Sequence, residues 1–313
     1  MSRRLTIGVT TKDRSASLNR CLASLSLAAH LEPEVLVFDD GSALPVEEQI
    51  TDEARGIGAR VLRDPSVVGY IAGRNRLARG AQGSYVLLMD DDARLMSGDA
   101  IDLAIRVLDG DPSVVAIAFA QAEPDGRPWP AAMQPSLAAD PVVVPSFIGF
   151  AHLVRRDAFL ALGGYREEFE FYGEEKDFGL RALDAGLRIV YLPSALVIHD
   201  VDPGGRNRQR YLRHVARNDC LMSLYNDPFP RVLWMLPARY ALYFRMRRGW
   251  RIRDPWGGAW LARDLLRRVP SVLSRRRPVA RRTIARWREL KRVHTRYSGA
   301  KIRPPLALGL EDS

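Results

Sequence analysis

The chain has 313 residues, 47% of them hydrophobic, enough for one large domain with a filled core, which excludes general disorder. Its only cysteines, Cys21 and Cys220, exclude a disulfide framework, and arginines or prolines interrupt every apolar stretch before the roughly 20 residues a spanning helix needs. The net charge of +10 is divided unevenly: residues 1–205 hold 20 Lys/Arg against 30 Asp/Glu, whereas residues 206–313 hold 27 against 7. No secretory signal precedes the first strand-like run, so a cytoplasmic setting is expected.

That run, LTIGVT, is a buried strand breaking into the polar loop TKDR. Ser15 is placed to cap a helix carrying Leu18, Cys21, Leu22 and Leu25 on one face. EVLVFDDGS repeats the step, a short apolar strand ending in two aspartates and a Gly-Ser turn. ARVLRD gives a third short strand. GYIAGRNRLARGAQG has helical spacing through Ile71, Leu77 and Ala81, and glycines end it before the strand SYVLLM. DAIDLAIRVLDGDP is a helix stopped by Gly110 and Pro112, and SVVAIAFA is the next strand. Strands alternating with helices at this interval predict an α/β fold with a mostly parallel central sheet flanked by helices.

Ligands of such sheets bind at the carboxyl ends of the strands, and here two ends carry DDGS and MDDDA. An aspartate after a strand is often only a turn-former or a helix cap. Three adjacent carboxylates, Asp90, Asp91 and Asp92, repel one another and call for solvent, a basic partner, or a divalent cation with a phosphate behind it. The chain has no G-x-G-x-x-G after its first strand and no G-x-x-x-x-G-K-[ST], which disfavours a nicotinamide dehydrogenase and a P-loop kinase. A phosphate without a glycine loop can instead be held through Mg²⁺ or Mn²⁺ on carboxylates.

LTIGVTTKDR, VLVFDDGS, GRNRLARGAQGSYVLLMDDDA, GGYREEFEFYGEEKDFGLRALDAGLRIVYLP and ALVIHD together resemble, in that order, the successive motifs of family 2 glycosyltransferases. The part from YGEEKDFGLR to IHD is most similar to the rhamnosyl- and galactofuranosyl-type branch that serves cell-wall or polysaccharide biosynthesis. The resemblance implies a GT-A fold over residues 1–205, an inverting reaction, a nucleotide-diphospho-sugar donor (UDP- or dTDP-sugar favoured) and Mn²⁺ or Mg²⁺. It places Thr10 and Asp40 at the nucleobase, Arg74 near base and phosphates, and Asp91 at the ribose or sugar. Asp90 and Asp92 fall in the DXD motif at the metal, and His199 completes the metal site. Glu175 aligns with the catalytic base, more often aspartate in the family, and Glu174 precedes it. Helical spacing puts Glu174, Asp177 and Arg181 on one face, so Glu174 or Asp177 is expected to pair with Arg181 or to orient Glu175. Phe147, Gly149 and Gly163-Gly164 are expected on the acceptor-side floor, and Trp129 against a sugar.

From Arg206 arginine mixes with aromatics, and five of the six tryptophans fall here. Residues 206–298 are expected to form a basic, mainly helical extension, beginning with two amphipathic helices divided by NDPFP, and residues 299–313 a flexible tail. Arginine with Trp and Tyr suits the inner face of the cell membrane, which would bring the enzyme to a glycan or lipid-linked acceptor as a peripheral protein. An oligomer-forming face is the alternative. Nucleic acid is not expected, since no recognition motif accompanies the charge and the acidic crevice would repel a polyanion. Two other readings of the acidic strand ends are a sugar-phosphate nucleotidyltransferase, which wants a glycine-rich basic loop where TTKDRSAS stands, and a non-enzymatic phosphate-accepting signalling or scaffold domain. The latter needs a lysine near the acids, and Lys12 and Lys176 are the only lysines before residue 291.

Overall fold

The computed structural model describes residues 4–201, 207–293 and 295–297, and the tail expected from 299 lies outside them. Among the described residues ten strands form one sheet: β1 (Leu5–Thr11), β2 (Glu34–Asp39), β3 (Arg60–Arg63), β4 (Tyr85–Asp90), β5 (Ala93–Leu95), β6 (Val114–Ala122), β7 (Val142–Val144), β8 (Ala151–Arg155), β9 (Arg188–His199) and β10 (Thr295–Arg296). The helices are α1 (Ser15–Ser24), α2 (Asp52–Arg55), α3 (Tyr70–Gly80), α4 (Asp99–Gly110), α5 (Arg156–Ala161), α6 (Glu174–Asp184), α7 (Arg208–Asn226), α8 (Val232–Gly249), α9 (Gly257–Arg275) and α10 (Arg281–Leu290).

The strand order is β10-β7-β9-β6-β8-β4-β1-β2-β3, with β5 paired to β9. β3, β2, β1 and β4 run parallel, and β6 runs parallel to β9. β1 is buried along its whole length and β4 along all but its last residue, which is why both read as continuous apolar runs. β8 enters antiparallel between β4 and β6, a strand that β-α alternation alone does not announce. Its register sets Met89 opposite Ala151, so the residues just before β8 lie beside the end of β4. The Asp90 amide accordingly donates to the Phe150 carbonyl at 2.8 Å. The β5–β9 ladder pairs Ala93 with His199 and brings that histidine beside Asp92.

Leu18, Cys21, Leu22 and Leu25 are buried as expected. Ser15, however, is the first residue of α1 rather than its cap; Arg14 occupies the N-cap position and makes no capping bond. The two expected helices of the extension are α7 and α8, on either side of the NDPFP turn. α7 buries Leu212, Ala216, Cys220, Leu221 and Tyr225 in the same apolar cluster as Phe147, Phe169 and Phe178. α10 is tied to the end of α6 by the Ala280 amide and the Thr283 hydroxyl, which both donate to Asp184, and β10 extends the sheet beyond β7. The extension is thus continuous in packing with the sheet domain.

Candidate active site

The parallel strands align Thr10 with Phe38 and Asp90, and Thr11 with Asp39, so the acidic ends converge on one edge. Asp39 is buried and accepts from the Ser42 and Val46 amides at 2.9 and 3.3 Å, which fixes the loop after β2. Asp40 lies beside it and accepts from the Gly69 amide at 3.0 Å; burial raises its pKa. Gly73 lets α3 reach this edge, because a Cβ there would stand 2.5 Å from the Phe38 ring and 3.2 Å from Thr10.

The repulsion within the aspartate triplet is relieved by two arginines and a threonine. Asp91 accepts from the Thr11 hydroxyl at 2.7 Å and pairs with Arg14 Nη1 at 2.7 Å; the other guanidinium nitrogen, Nη2, donates to Asp92 Oδ2 at 3.0 Å. Asp90 faces the opposite way, toward Arg74 Nη2 at 2.5 Å. Burial pushes Asp91 up to about 7 and Asp90 up to about 6, with the neighbouring carboxylates adding to the effect and the arginines opposing it. Removing the Arg14 charge should therefore open the cluster to cations. Arg14→Gln is expected to bind Mn²⁺ alone about tenfold tighter than the unaltered protein in calorimetry; an unchanged affinity would show that Arg14 is not the counter-ion.

Asp92 Oδ1 is buried without a hydrogen-bond partner and lies 3.8 Å from His199 Nε2. The orientation of His199 is fixed from behind. Gln121 donates through Nε2 to the Met133 carbonyl at 2.6 Å, so its Oε1 faces His199 Nδ1, also at 2.6 Å, and that ring nitrogen is the donor. Nε2 is then the ring nitrogen on the Asp92 side. Trp129 and Phe150 hold the ring in place at centroid distances of 5.4 and 4.6 Å, so Trp129 stacks on His199 instead of awaiting a sugar. A carboxylate oxygen suits Mn²⁺ or Mg²⁺, and a single oriented imidazole is acceptable to Mn²⁺. Among the described residues no group of three or more His, Cys, Asp or Glu is arranged as a complete metal cage, so water or a diphosphate would supply the remaining ligands.

Arg74 has a different place from the one expected. It is 1% exposed and surrounded by acceptors: Nη1 donates to Glu174 at 2.9 Å, and Nη2 to Asp90 and to the Gly149 carbonyl at 2.7 Å, with the Tyr70 ring 4.6 Å from the guanidinium carbon. It anchors the strand end to α6 and offers no exposed nitrogen to a phosphate. Burial opposes its charge, but Asp90 and Glu174 outweigh that and raise its pKa. Glu174 is buried, and burial together with the Glu175 charge raises its pKa well above the usual range. Asp177 is also buried, and it accepts from Arg181 at 2.8 Å, Arg166 at 3.2 Å and Asn226 at 2.6 Å. These bonds stiffen α6; they do not present Asp177 to a substrate.

The family model described as Glycosyl transferase family 2 matches residues 6–163, the segment that builds this acidic edge. The chain belongs to that family. Among its relatives, the N-acetylglucosaminyl-diphospho-decaprenol L-rhamnosyltransferase of Mycobacterium tuberculosis is 28% identical over 234 residues, covering 62% of this chain and 75% of the relative. The pre-mycofactocin glycosyltransferase of the same organism is 28% identical over 210 residues, 63% of this chain and 43% of its own length. Among solved structures, S. aureus TarS in complex with UDP-GlcNAc matches with a TM-score of 0.61 at 17% identity, over 90% of this chain and 83% of that one. The mannosyltransferase PcManGT from Pyrobaculum calidifontis, in complex with GDP-Man and Mn²⁺, matches at 0.57 and 15% identity, over 92% and 84%. At these identities the likeness shows the fold, which is GT-A. The chain is a nucleotide-sugar glycosyltransferase, and the nucleotidyltransferase and signalling-domain readings are set aside.

The family 2 match ends before α6, so the residues around Glu175 must be read from this chain's own packing. Glu175 is half-buried at the second position of α6, and a Cβ on Gly149 would lie 2.5 Å from its Oε1 and 2.9 Å from Arg74. Gly149 permits that close approach; a β-carbon would force the two side-chain ends to yield. Gly163 and Gly164 instead form a left-handed turn after α5, where a Cβ on Gly164 would meet Asn75 at 2.5 Å.

The loop leading into α6 is held by residues of the extension that sequence reasoning missed. Glu170, Tyr172 and Gly173 all have positive φ, an unfavourable course for the first two that needs outside support. Asn218 Nδ2 lies 2.9, 2.8 and 2.5 Å from the Phe169, Phe171 and Tyr172 carbonyls and shares its two N–H groups among them. Arg217, also buried, donates to Glu170 at 2.9 Å and to the Phe169 carbonyl, and Arg268 on α9 reaches Glu170 at 2.6 Å. The only sequence signal was an asparagine and an arginine inside an otherwise amphipathic helix.

Proposed function

We propose that this family 2 enzyme is metal-dependent and transfers a sugar, with inversion at the anomeric carbon, to a hydroxyl of a lipid-linked or cell-surface glycan, with Glu175 as the base. The observation that carries this reading is the position of Glu175 between two spaces. Its Oε1 packs against Gly149 beside Arg74, while the same residue lines a cavity of about 190 Å³ against α7. The acceptor oxygen bonds to the anomeric carbon as that carbon's bond to the diphosphate breaks. The electron pair leaves with the nucleoside diphosphate, and the acceptor's proton passes to a Glu175 carboxylate oxygen.

Thr10 and Asp40, at the ends of β1 and β2, would line the nucleobase of a UDP- or dTDP-sugar, with Asp91 toward the ribose and Asp90 toward the donor sugar. Asp92 and His199 would hold Mn²⁺ or Mg²⁺, which when bound neutralises charge on the departing diphosphate. The glycan acceptor is supported by the M. tuberculosis relative, named for a diphospho-decaprenol-linked sugar. Calorimetric titration with UDP, dTDP and GDP, each with and without Mn²⁺, tests the reading. One nucleotide should bind in a Mn²⁺-dependent way, and Asp92→Ala should lose at least about tenfold in that affinity, one good charged contact. Equal binding with and without metal would refute metal dependence.

Among the described residues no helix is long and apolar enough to cross a membrane. A peripheral contact at the inner face is supported by Phe229, Leu233, Trp234 and Trp256, which are exposed on the basic extension. The protein should co-sediment with phosphatidylglycerol vesicles and remain in solution with phosphatidylcholine vesicles. Co-sedimentation with neither would leave the extension without a lipid role.

A further inference from the structure

The cavity beside Glu175 has a wall that the family 2 match does not reach. α7 supplies Tyr211, Val215, Asn218, Asp219 and Met222, and the facing side is Phe147, Tyr172 and Glu175. We propose that this cavity is the acceptor subsite, that it takes a single uncharged pyranose ring, and that Tyr211 is its shelf and Asp219 its hydroxyl-binding group. This rests on the transferase reading above and deepens it.

Size gives the first argument. At about 190 Å³ the space is smaller than the roughly 300–1,000 Å³ of pockets for drug-sized ligands, so it matches one ring of a glycan whose remainder continues outside. Chemistry gives the second. Tyr172 and Tyr211 meet edge to face at 4.7 Å, and the Trp250 ring stacks on Tyr211 at 5.6 Å, so the shelf is held rigid. Rigid aromatic surface suits the C–H face of a sugar, and a carboxylate suits its hydroxyls. Charge gives the third. In the cavity lining Glu175 and Asp219 face the single Lys176, and Asp219 is already paired with Arg239 of α8 at 3.6 Å, so the lining leaves no unmatched cation for an anion. A uronic acid or a phosphate would find no free counter-charge there, whereas a neutral ring needs none. The backbone supports the assignment as well: Tyr172 adopts a positive φ that a β-carbon resists, and Asn218 of the same α7 wall holds its carbonyl.

The test is saturation-transfer NMR on the full chain with Mn²⁺ and, in separate samples, UDP, dTDP or GDP present, using methyl α-L-rhamnoside, methyl N-acetyl-β-D-glucosaminide, methyl β-D-galactoside and methyl β-D-glucuronide as probes. At least one neutral glycoside should bind and the glucuronide should not. Tyr211→Ala and Asp219→Asn should each weaken the neutral glycoside about tenfold or more, Tyr211→Phe should restore it, and nucleotide affinity should be unchanged in all three. Nucleotide binding without binding of any neutral glycoside, glucuronide binding as strong as the neutral probes, or full glycoside binding by Tyr211→Ala would overturn the subsite alone. Absence of both nucleotide and glycoside binding would overturn the transferase reading with it.

Discussion

Glu175→Gln is expected to lower transfer by about 10²–10⁴-fold, the usual contribution of a positioned general base, while nucleotide affinity stays within about twofold. The substitution keeps the shape and the contact at Gly149 but removes the group that accepts the proton. The contrast with Glu174 and Asp177 is what makes the expectation specific. Glu174 is committed to Arg74, and Asp177 to Arg166, Arg181 and Asn226, so glutamine or asparagine there should act on stability and on the placement of α6. Steady-state kinetics beside calorimetry separates the two cases. If Glu175→Gln keeps a tenth or more of the transfer rate, or loses nucleotide binding in step with transfer, the proton is taken elsewhere and Glu175 is a packing residue.

Much of this acidic edge was legible before the structure because it is built from local rules. Strand ends carry the acids, so Asp40 and the triplet could be placed on one edge from β-α alternation, whereas Thr10 is singled out by the family resemblance. What escaped depends on long-range pairing. Arg14 looked like a loop residue before a helix cap, and only the aspartates 77 and 78 positions on reveal why its side chain turns inward. Arg74 looked available to a phosphate because its sequence neighbours say nothing about Glu174, 100 positions away, or about the antiparallel β8 that delivers the Gly149 carbonyl. Trp129 looked free for a sugar until the β5–β9 ladder brought His199 beneath it. The extension read as a separate basic appendage because charge dominates its composition, yet Arg217 and Asn218 face inward and hold the loop before α6.

Arg74→Met is expected to be the most destabilising single change at the site, by about 3–5 kcal/mol, the cost of leaving a buried carboxylate without its partner. Methionine fills the stem of the arginine but leaves the fully buried Glu174 without its cation, with only the long Tyr70 hydroxyl contact at 3.4 Å remaining; it also leaves the Gly149 carbonyl without this donor and frees Asp90 to move. Glu174 has one way to reduce the penalty, which is to take up a proton, and burial already raises its pKa. A carboxyl whose folded pKa lies above its unfolded value binds more protons when folded, so stability is greatest at low pH and falls as pH rises through that window. The deficit of Arg74→Met relative to the unaltered protein should therefore be smaller at pH 5 than at pH 8. Adding Glu174→Gln should recover part of it, since a neutral amide can stay buried at less cost than an unpaired charge. Urea denaturation of the single and double variants at both pH values measures each quantity. A loss below about 1 kcal/mol at pH 8, or no recovery in the double variant, would mean that Asp90 and α6 are coupled through the surrounding aromatic packing instead of through this guanidinium.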